Sequence, residues 1–114
     1  MKKTDAVEAL AALAQDNRLD VFRLLVQAGP AGMSAGALST ALDIAPNALT
    51  FHFDRLRKAG LVSVRRDGRS MIYAAQYATM NSLLSYLTEN CCGGAASARA
   101  TEGKPIRKRT IVAT

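Results

Sequence analysis

Residues 34–60 read SAGALSTALDIAPNALTFHFDRLRKAG and carry the signals of two consecutive helices. Ser34 suits the position before the first helix, because its hydroxyl can accept a hydrogen bond from a backbone N–H of the first turn. Pro46 suits the first turn of the second helix, where the missing N–H of proline costs nothing. An apolar stripe with helical spacing follows and ends before Gly60; its members are Leu49, Phe53 and Leu56. The stretch therefore predicts two helices joined by a tight turn.

The patterns on both sides of this pair complete the order of elements. Apolar residues at helical spacing predict one helix in DAVEALAALAQ (5–15) and another in NRLDVFRLLVQAG (17–29). The runs LVSVRR (61–66) and SMIYAAQ (70–76) are separated by DGR, which is typical of a β-hairpin. A last helix is predicted in YATMNSLLSYLTEN (77–90). We therefore expect a mainly α (α+β) fold, a winged helix-turn-helix with an extra helix at each end.

Length and charge limit the organisation of the chain. Its 114 residues suit one domain, and no apolar run reaches membrane-spanning length. Asp5 and Glu8 interrupt the apolar stretch that a signal peptide would need, so we expect a cytoplasmic protein. The formal charge of +6 divides into +2 for residues 1–92 and +4 for residues 93–114. We expect a folded domain over 1–92 and a flexible basic tail over 93–114.

The outward face of the second helix predicts contacts with bases. If its apolar stripe faces the core, the side chains that face away can enter a DNA major groove. Asn47 can pair with adenine, Thr50 can meet a base edge or a phosphate, and Phe51 can touch a thymine methyl group. Asp54 would be repelled by phosphates unless it accepts from a cytosine amino group or pairs with Lys58.

A basic patch next to this face predicts contacts with the DNA backbone. Six of the ten Lys and Arg residues of the folded part lie within residues 55–69. We expect phosphate contacts from Arg57, Lys58, Arg65, Arg66 and Arg69, which fix position without specifying sequence. Arg69 at the hairpin tip would lie beside the minor groove. His52 completes the predicted set of DNA-binding residues, with packing between helices as the alternative.

One helix-turn-helix reads too few base pairs for useful specificity, so we expect a homodimer on a two-fold symmetric DNA site. The first and last helices carry apolar side chains beyond what a small core needs. These are Val7, Leu10, Leu13, Met80, Leu83, Leu84 and Leu87. The alternative is that they only close the core of the monomer.

Two stretches resemble the ArsR/SmtB family of repressors. LAALAQDNRLDVFRLLV (10–26) is similar to the opening of the family, and LTFHFDRLRKAGLVSVRRDGRSMIY (49–73) is similar to its recognition helix and wing. The likeness covers about residues 5–92 and includes the His52-Phe53 pair and the AGLV and DGR landmarks. It implies a winged-helix repressor that binds double-stranded operator DNA as a homodimer.

The two cysteines of the chain, Cys91 and Cys92, follow the last predicted helix. In a reducing compartment they are expected as thiols, because neighbouring cysteines close only a small, strained ring. Two thiols without a nearby histidine are too few for a closed zinc site, but they suit a soft, thiophilic element. The chain lacks the Cys-Val-Cys box of many arsenic sensors in this family. Its ENCCGG segment (89–94) instead resembles a subgroup with vicinal cysteines after the last helix.

This resemblance implies that trivalent arsenic binds Cys91 and Cys92 and releases the repressor from DNA. Arsenite and methylarsenite are both candidates, with antimonite as a substitute, and methylarsenite needs only two sulfurs. The third arsenic ligand stays open, as does whether the site lies within one subunit or across the dimer.

Three alternatives belong to other classes of protein. A redox-sensing repressor would use the same two thiols. A small enzyme such as an arsenate reductase is disfavoured, because the chain lacks a loop that could hold an anion beside a nucleophilic cysteine. We therefore predict that the protein is not an enzyme. An architectural nucleic-acid protein would depend on the basic GKPIRKRT segment of the tail (103–110), which contains Lys104, Arg107, Lys108 and Arg109.

Overall fold

The computed structural model describes residues 1–94, and the order of elements confirms the predicted winged helix-turn-helix. The helices are α1 (Lys3–Leu13), α2 (Asp16–Ala28), α3 (Ala35–Leu42), α4 (Pro46–Lys58) and α5 (Tyr77–Leu87), and the strands are β1 (Met33–Ser34), β2 (Val62–Asp67) and β3 (Ser70–Ala75). A 3₁₀ turn covers Cys91–Gly94. These residues belong to two units, Met1–Leu83 and a second that begins at Leu84. The predicted basic tail lies outside the described residues apart from Gly93 and Gly94.

Local hydrogen bonds fix the turn between α3 and α4. Ser34 caps α3 as predicted, its hydroxyl accepting from the Ala37 N–H at 3.1 Å. Asp43 ends α3 in the left-handed conformation, with φ of 54°. The hydroxyl of Ser39 then donates to the Ile44 carbonyl at 2.6 Å, across the turn. These contacts satisfy backbone groups that helix ends leave without an intrahelical partner, so the direction of α4 is set by the turn itself.

The inward face of α4 is the centre of the core. Leu49, Phe53 and Leu56 are buried, as their spacing predicts. They pack with residues from α2, from α3 and from the segment that leads into β2. Leu25, Leu38 and Leu61 in these segments are also fully buried. Burial of such side chains is the main stabilising contribution in a small domain, so α4 cannot rotate without exposing its core residues.

The wing contains one strand that the sequence patterns did not predict. The sheet order is β1-β3-β2, with antiparallel pairing of Met33 with Tyr73 and of Val64 with Tyr73. β1 is two residues long, too short to show the alternation by which strands are found in a sequence. The rings of Phe53 and Tyr73 stack with centroids 3.6 Å apart and so join α4 to the middle of the sheet.

The packing of α1 agrees with the prediction that its large apolar side chains are not needed for the core, because small residues fill the core instead. Its buried residues are Ala6, Ala9 and Ala12, whereas Val7 is 57% exposed and Leu10 is also exposed. Alanines at this spacing let α1 approach its neighbours α2 and α4 closely, which larger side chains would prevent. Val7 and Leu10 are therefore left on the outer side of α1, whereas Leu13 is half-buried.

The last helix is also shorter than predicted. It ends at Leu87 rather than at residue 90, and the hydroxyl of Tyr77 at its start donates to the Val26 carbonyl at 3.1 Å. Leu83 is its one buried residue, while Leu84 and Leu87 are exposed.

Two glycines provide a matched test of the wing. Gly32 has φ of +73°, and a Cβ there would overlap the carbonyl oxygen of Tyr73. Gly36 lies in α3, and a Cβ at that position would have no other atom within 4 Å. Gly32→Ala should therefore lower the free energy of unfolding by more than about 1 kcal/mol, and Gly36→Ala should raise it by roughly 0.4–1 kcal/mol. Urea denaturation measures both, and equal effects of the two variants would contradict this account of β1.

Candidate functional site

The outer face of α4 carries the polar and aromatic side chains predicted to contact bases. Asn47, Thr50 and Phe51 are exposed, and Phe51 is 59% exposed despite its large apolar ring. The Thr50 hydroxyl donates to the Pro46 carbonyl, and the Asn47 side-chain oxygen accepts from the Ala48 N–H, both at 3.0 Å. DNA binding through Asn47 or Thr50 therefore exchanges a bond within the first turn of α4 for a contact with a base or phosphate.

An acidic residue lies among these side chains. One carboxylate oxygen of Asp54 is 3.0 Å from an Arg57 guanidinium nitrogen, and the other is 3.1 Å from the Lys58 ammonium nitrogen. The hydrogen bond from Lys58, with the charges of Lys58 and Arg57, holds the pKa of Asp54 below its usual range. Arg57 and Lys58 are exposed and Asp54 is partly exposed, so these ion pairs contribute little to folding stability.

The wing presents the remaining predicted phosphate contacts. Arg65, Arg66 and Arg69 are all exposed. Arg66 lies near the end of β2, and Arg69 lies in the two-residue loop that joins β2 to β3. Arg65 has a structural contact as well, because its guanidinium donates to the Ala31 carbonyl at 2.9 Å. That bond connects β2 to the loop before β1.

His52 does not lie on this surface, and its predicted role as a DNA contact is corrected. It is only 8% exposed, because it points to the inner side of α4. Its Nδ1 is buried and has no hydrogen-bond partner among the described residues. Burial, reinforced by the charge of Arg18, lowers the pKa of His52.

Arg18 is a buried charged residue that the sequence patterns missed. It is buried at the start of α2, and its Nε donates to the Ala12 carbonyl at 2.6 Å. The bond ties the last turn of α1 to α2. An arginine on a helix is normally exposed, and no pattern in the sequence marks this one as buried.

The two thiols lie beyond α5, in the second unit. Their sulfur atoms are 3.0 Å apart, too far for the disulfide bond length of about 2.05 Å. Cys92 is exposed and has φ of 60°, so the backbone reverses its handedness between the two cysteines. The Cys91 N–H donates to the Thr88 carbonyl at 2.9 Å. Within residues 1–94, no group of three or more His, Cys, Asp or Glu residues could hold a metal ion.

Comparison with known proteins agrees with this architecture. Residues 13–65 match a family model described as a helix-turn-helix domain. The structure of HlyU from Vibrio cholerae N16961 is 32% identical with a TM-score of 0.61, over 76% of this chain and 97% of that chain. HlyU of that species is described as a transcriptional activator.

Two further solved structures are similar. An ArsR-like transcriptional regulator from Rhodococcus sp. RHA1 has a TM-score of 0.68 at 27% identity, over 87% of this chain and 89% of that chain. The homodimeric winged helix-turn-helix DNA-binding domain of Mb0332 from Mycobacterium bovis has a TM-score of 0.63 at 19% identity, over 91% of this chain and 89% of that chain. The second likeness concerns the fold alone.

The fold and these relatives define a winged helix-turn-helix transcriptional regulator. The chain belongs to the ArsR/SmtB family. Because the relatives are transcriptional regulators, the prediction that the protein is not an enzyme is confirmed. No helix among residues 1–94 is long and apolar enough to cross a membrane.

Burial of His52 predicts a specific dependence of stability on pH. Because its pKa is lower in the folded protein than in the unfolded chain, unfolding takes up a proton in mildly acidic solution. The free energy of unfolding should keep its full value above about pH 6.5, the usual histidine pKa. It should decrease as the pH falls below that value. Urea denaturation at about pH 7.5 and about pH 5.5 measures this decrease.

His52→Gln is the control variant, since His52 is the only histidine of the chain. The decrease in the free energy of unfolding from the higher to the lower pH should be smaller in this variant than in the wild type. An equal decrease in the variant and the wild type would show that another group is responsible.

Proposed function

We propose that this protein is a transcriptional repressor that binds operator DNA as a homodimer and dissociates when trivalent arsenic binds Cys91 and Cys92. The observation that carries the proposal is the 3.0 Å separation of the two thiol sulfurs, in a regulator whose α4 presents an exposed face. The first feature supplies a site for a soft ligand, and the second supplies a surface for DNA.

In the DNA complex, α4 enters the major groove and the wing lies along the backbone. Asn47 and Thr50 contact base edges, and Phe51 contacts a thymine methyl group. The phosphate contacts come from four exposed cations of α4 and the wing: Arg57, Lys58, Arg66 and Arg69. His52 is left out of this set because it is buried.

A dimer is supported by apolar side chains that the described residues leave in solvent. Val7 and Leu10 are exposed on α1, and Leu84 and Leu87 are exposed on α5. Burying them against a second copy would remove this apolar surface from water. The similar Mb0332 domain is described as homodimeric.

Trivalent arsenic suits the thiol pair by its chemistry. Arsenite exchanges two hydroxyl groups for two cysteine sulfurs and releases two water molecules, which leaves one hydroxyl on arsenic. Methylarsenite undergoes the same exchange and keeps its methyl group, so two sulfurs complete its site. A closed zinc site would need two further ligands, and no group of three or more His, Cys, Asp or Glu residues within residues 1–94 could supply them. Antimonite is expected to replace arsenite because it is similarly soft.

Hydrogen bonds give the thiols a short connection to the exposed end of α5. The Cys91 N–H donates to the Thr88 carbonyl, and the Thr88 hydroxyl donates to the Leu84 carbonyl at 2.9 Å. A ligand that reshapes the turn at Cys91 therefore acts on the segment whose Leu84 and Leu87 we assign to the dimer. A change in dimer geometry alters the spacing of the two recognition helices. Coupling of this kind is typically worth about 1–3 kcal/mol.

A redox-sensing repressor of the same fold is the second candidate, and the sulfur separation favours it too. An oxidant such as peroxide would take two electrons and two protons from the pair and form the Cys91–Cys92 bond. The sulfurs need to approach by only about 1 Å for this bond to form.

The thiol proposal predicts release of DNA by arsenicals and its loss in one double variant. Fluorescence anisotropy of a labelled operator duplex would follow titrations with arsenite, methylarsenite, antimonite and zinc. The wild type should release DNA with the arsenicals and retain it with zinc. Cys91→Ser/Cys92→Ser should bind the duplex normally and keep it under every arsenical.

A parallel titration with peroxide separates the two candidates. Release by peroxide together with insensitivity to arsenicals would replace the metalloid hypothesis with the redox hypothesis. Retention under all of these compounds would contradict both.

The DNA surface predicts different behaviour for base and phosphate contacts. Asn47→Ala should weaken operator binding by roughly 5- to 150-fold and leave binding to unrelated DNA nearly unchanged. Arg69→Ala should weaken binding to the operator and to unrelated DNA equally. It should also reduce the slope of log K against log salt by about 1 per subunit. Arg23→Ala, an exposed cation of α2, is the control and should have neither effect. Equal behaviour of all three variants would contradict the assigned surface.

A further inference from the structure

Asp54 occupies the middle of the α4 face that the proposed function directs at DNA. Asn47, Phe51, Asp54 and Lys58 follow one another at intervals of four, three and four residues, which places them on one side of a helix. The opposite side is the buried stripe that contains Phe53. A carboxylate at this position faces DNA phosphates and the acceptor groups of most base edges, so it should oppose binding to most sequences.

The carboxylate is nevertheless held in a defined arrangement. Its two oxygens contact different cations, Arg57 at 3.0 Å and Lys58 at 3.1 Å. Both cations belong to the set assigned to DNA phosphates. Asp54 is ionised at neutral pH, as an aspartate normally is, so the three side chains carry a net charge of +1 rather than +2.

We propose that Asp54 is a specificity-determining residue. In non-specific complexes it remains paired with Arg57 and Lys58 and keeps them from DNA phosphates. In the operator complex, phosphates replace Asp54 as the partners of both cations. The inference rests on the proposed DNA-binding function. Non-specific affinity comes from the number of phosphates that a protein neutralises. Internal pairing with Asp54 lowers this number, and the charge of the carboxylate adds repulsion on any sequence.

The operator complex differs because base contacts hold α4 in the groove. Exposed ion pairs are weak, so phosphates at fixed positions can replace Asp54 as the partners of both cations. In a non-specific complex, α4 lacks base contacts and the phosphates are not held at those positions. The carboxylate therefore lowers the affinity mainly for non-operator DNA. Selectivity for the operator rises without a new attractive contact.

The test measures affinity for two labelled duplexes over a range of salt concentrations. One duplex is selected from a randomised pool with the wild-type protein, and the other is a scrambled version of it. Asp54→Asn should bind the scrambled duplex about tenfold more tightly at low salt and bind the selected duplex within about threefold of wild type. The slope of log K against log salt for the scrambled duplex should steepen by roughly 1–2 per subunit.

Two further variants isolate the role of the ion pairs. Asp20→Asn makes the same change in net charge on α2, where the side chain is exposed, and it should reproduce neither effect. Asp54→Glu keeps the charge within reach of both cations and should restore most of the selectivity. Thermal unfolding of each variant confirms that it is folded.

Each contrary outcome has a distinct meaning. Equal behaviour of Asp54→Asn and Asp20→Asn would overturn the inference. So would weaker binding of Asp54→Asn to the selected duplex with unchanged binding to the scrambled one, because Asp54 would then read a base directly. Failure of the wild-type protein to select any duplex would overturn the proposed function itself.

Discussion

The position of α4 depends on the burial of its inward face. Leu49 and Leu56 are sealed in the core, and Phe53 stacks on Tyr73 at the centre of the small sheet. Rotating α4 by one residue would expose these side chains and break the stack, at a cost comparable to the stability of a small domain. The outward face is therefore fixed as firmly as the core. Core residues thereby place Asn47, Thr50, Phe51 and Asp54 on the outer face that we propose contacts DNA.

Polar groups inside the domain add a second constraint. Arg18 ties the end of α1 to α2 through the Ala12 carbonyl, and His52 lies buried beside that charge. Both side chains sit where apolar residues would pack at lower cost. On the outer surface the charged groups are not buried: Asp54 pairs with two cations that remain in solvent. A buried charge fixes the position of helices, whereas an exposed ion pair can be exchanged for DNA.

Much of this architecture could be predicted from residue patterns. The cap at Ser34, the turn before Pro46 and the apolar stripe of α4 each depend on neighbours close in sequence, and the structure has them as expected. The strand β1 depends on Ile72 and Tyr73, which lie far along the chain, and the burial of Arg18 depends on how α1 packs against α2. Neither is contained in a local pattern. The burial of Ala6, Ala9 and Ala12 in α1 could not be predicted either, because alanines fit either face of a helix until the distance to the next helix is known.

In the proposed function, one ligand at the thiol pair determines whether the dimer holds DNA. Native mass spectrometry of the protein–operator complex, titrated with methylarsenite, measures DNA occupancy, subunit number and arsenic content in the same spectrum. We expect DNA-free dimers to carry one methylarsenic group on each chain, bound through Cys91 and Cys92, and DNA-bound dimers to carry none. Dimers that hold DNA with arsenic on both chains would contradict the proposed function.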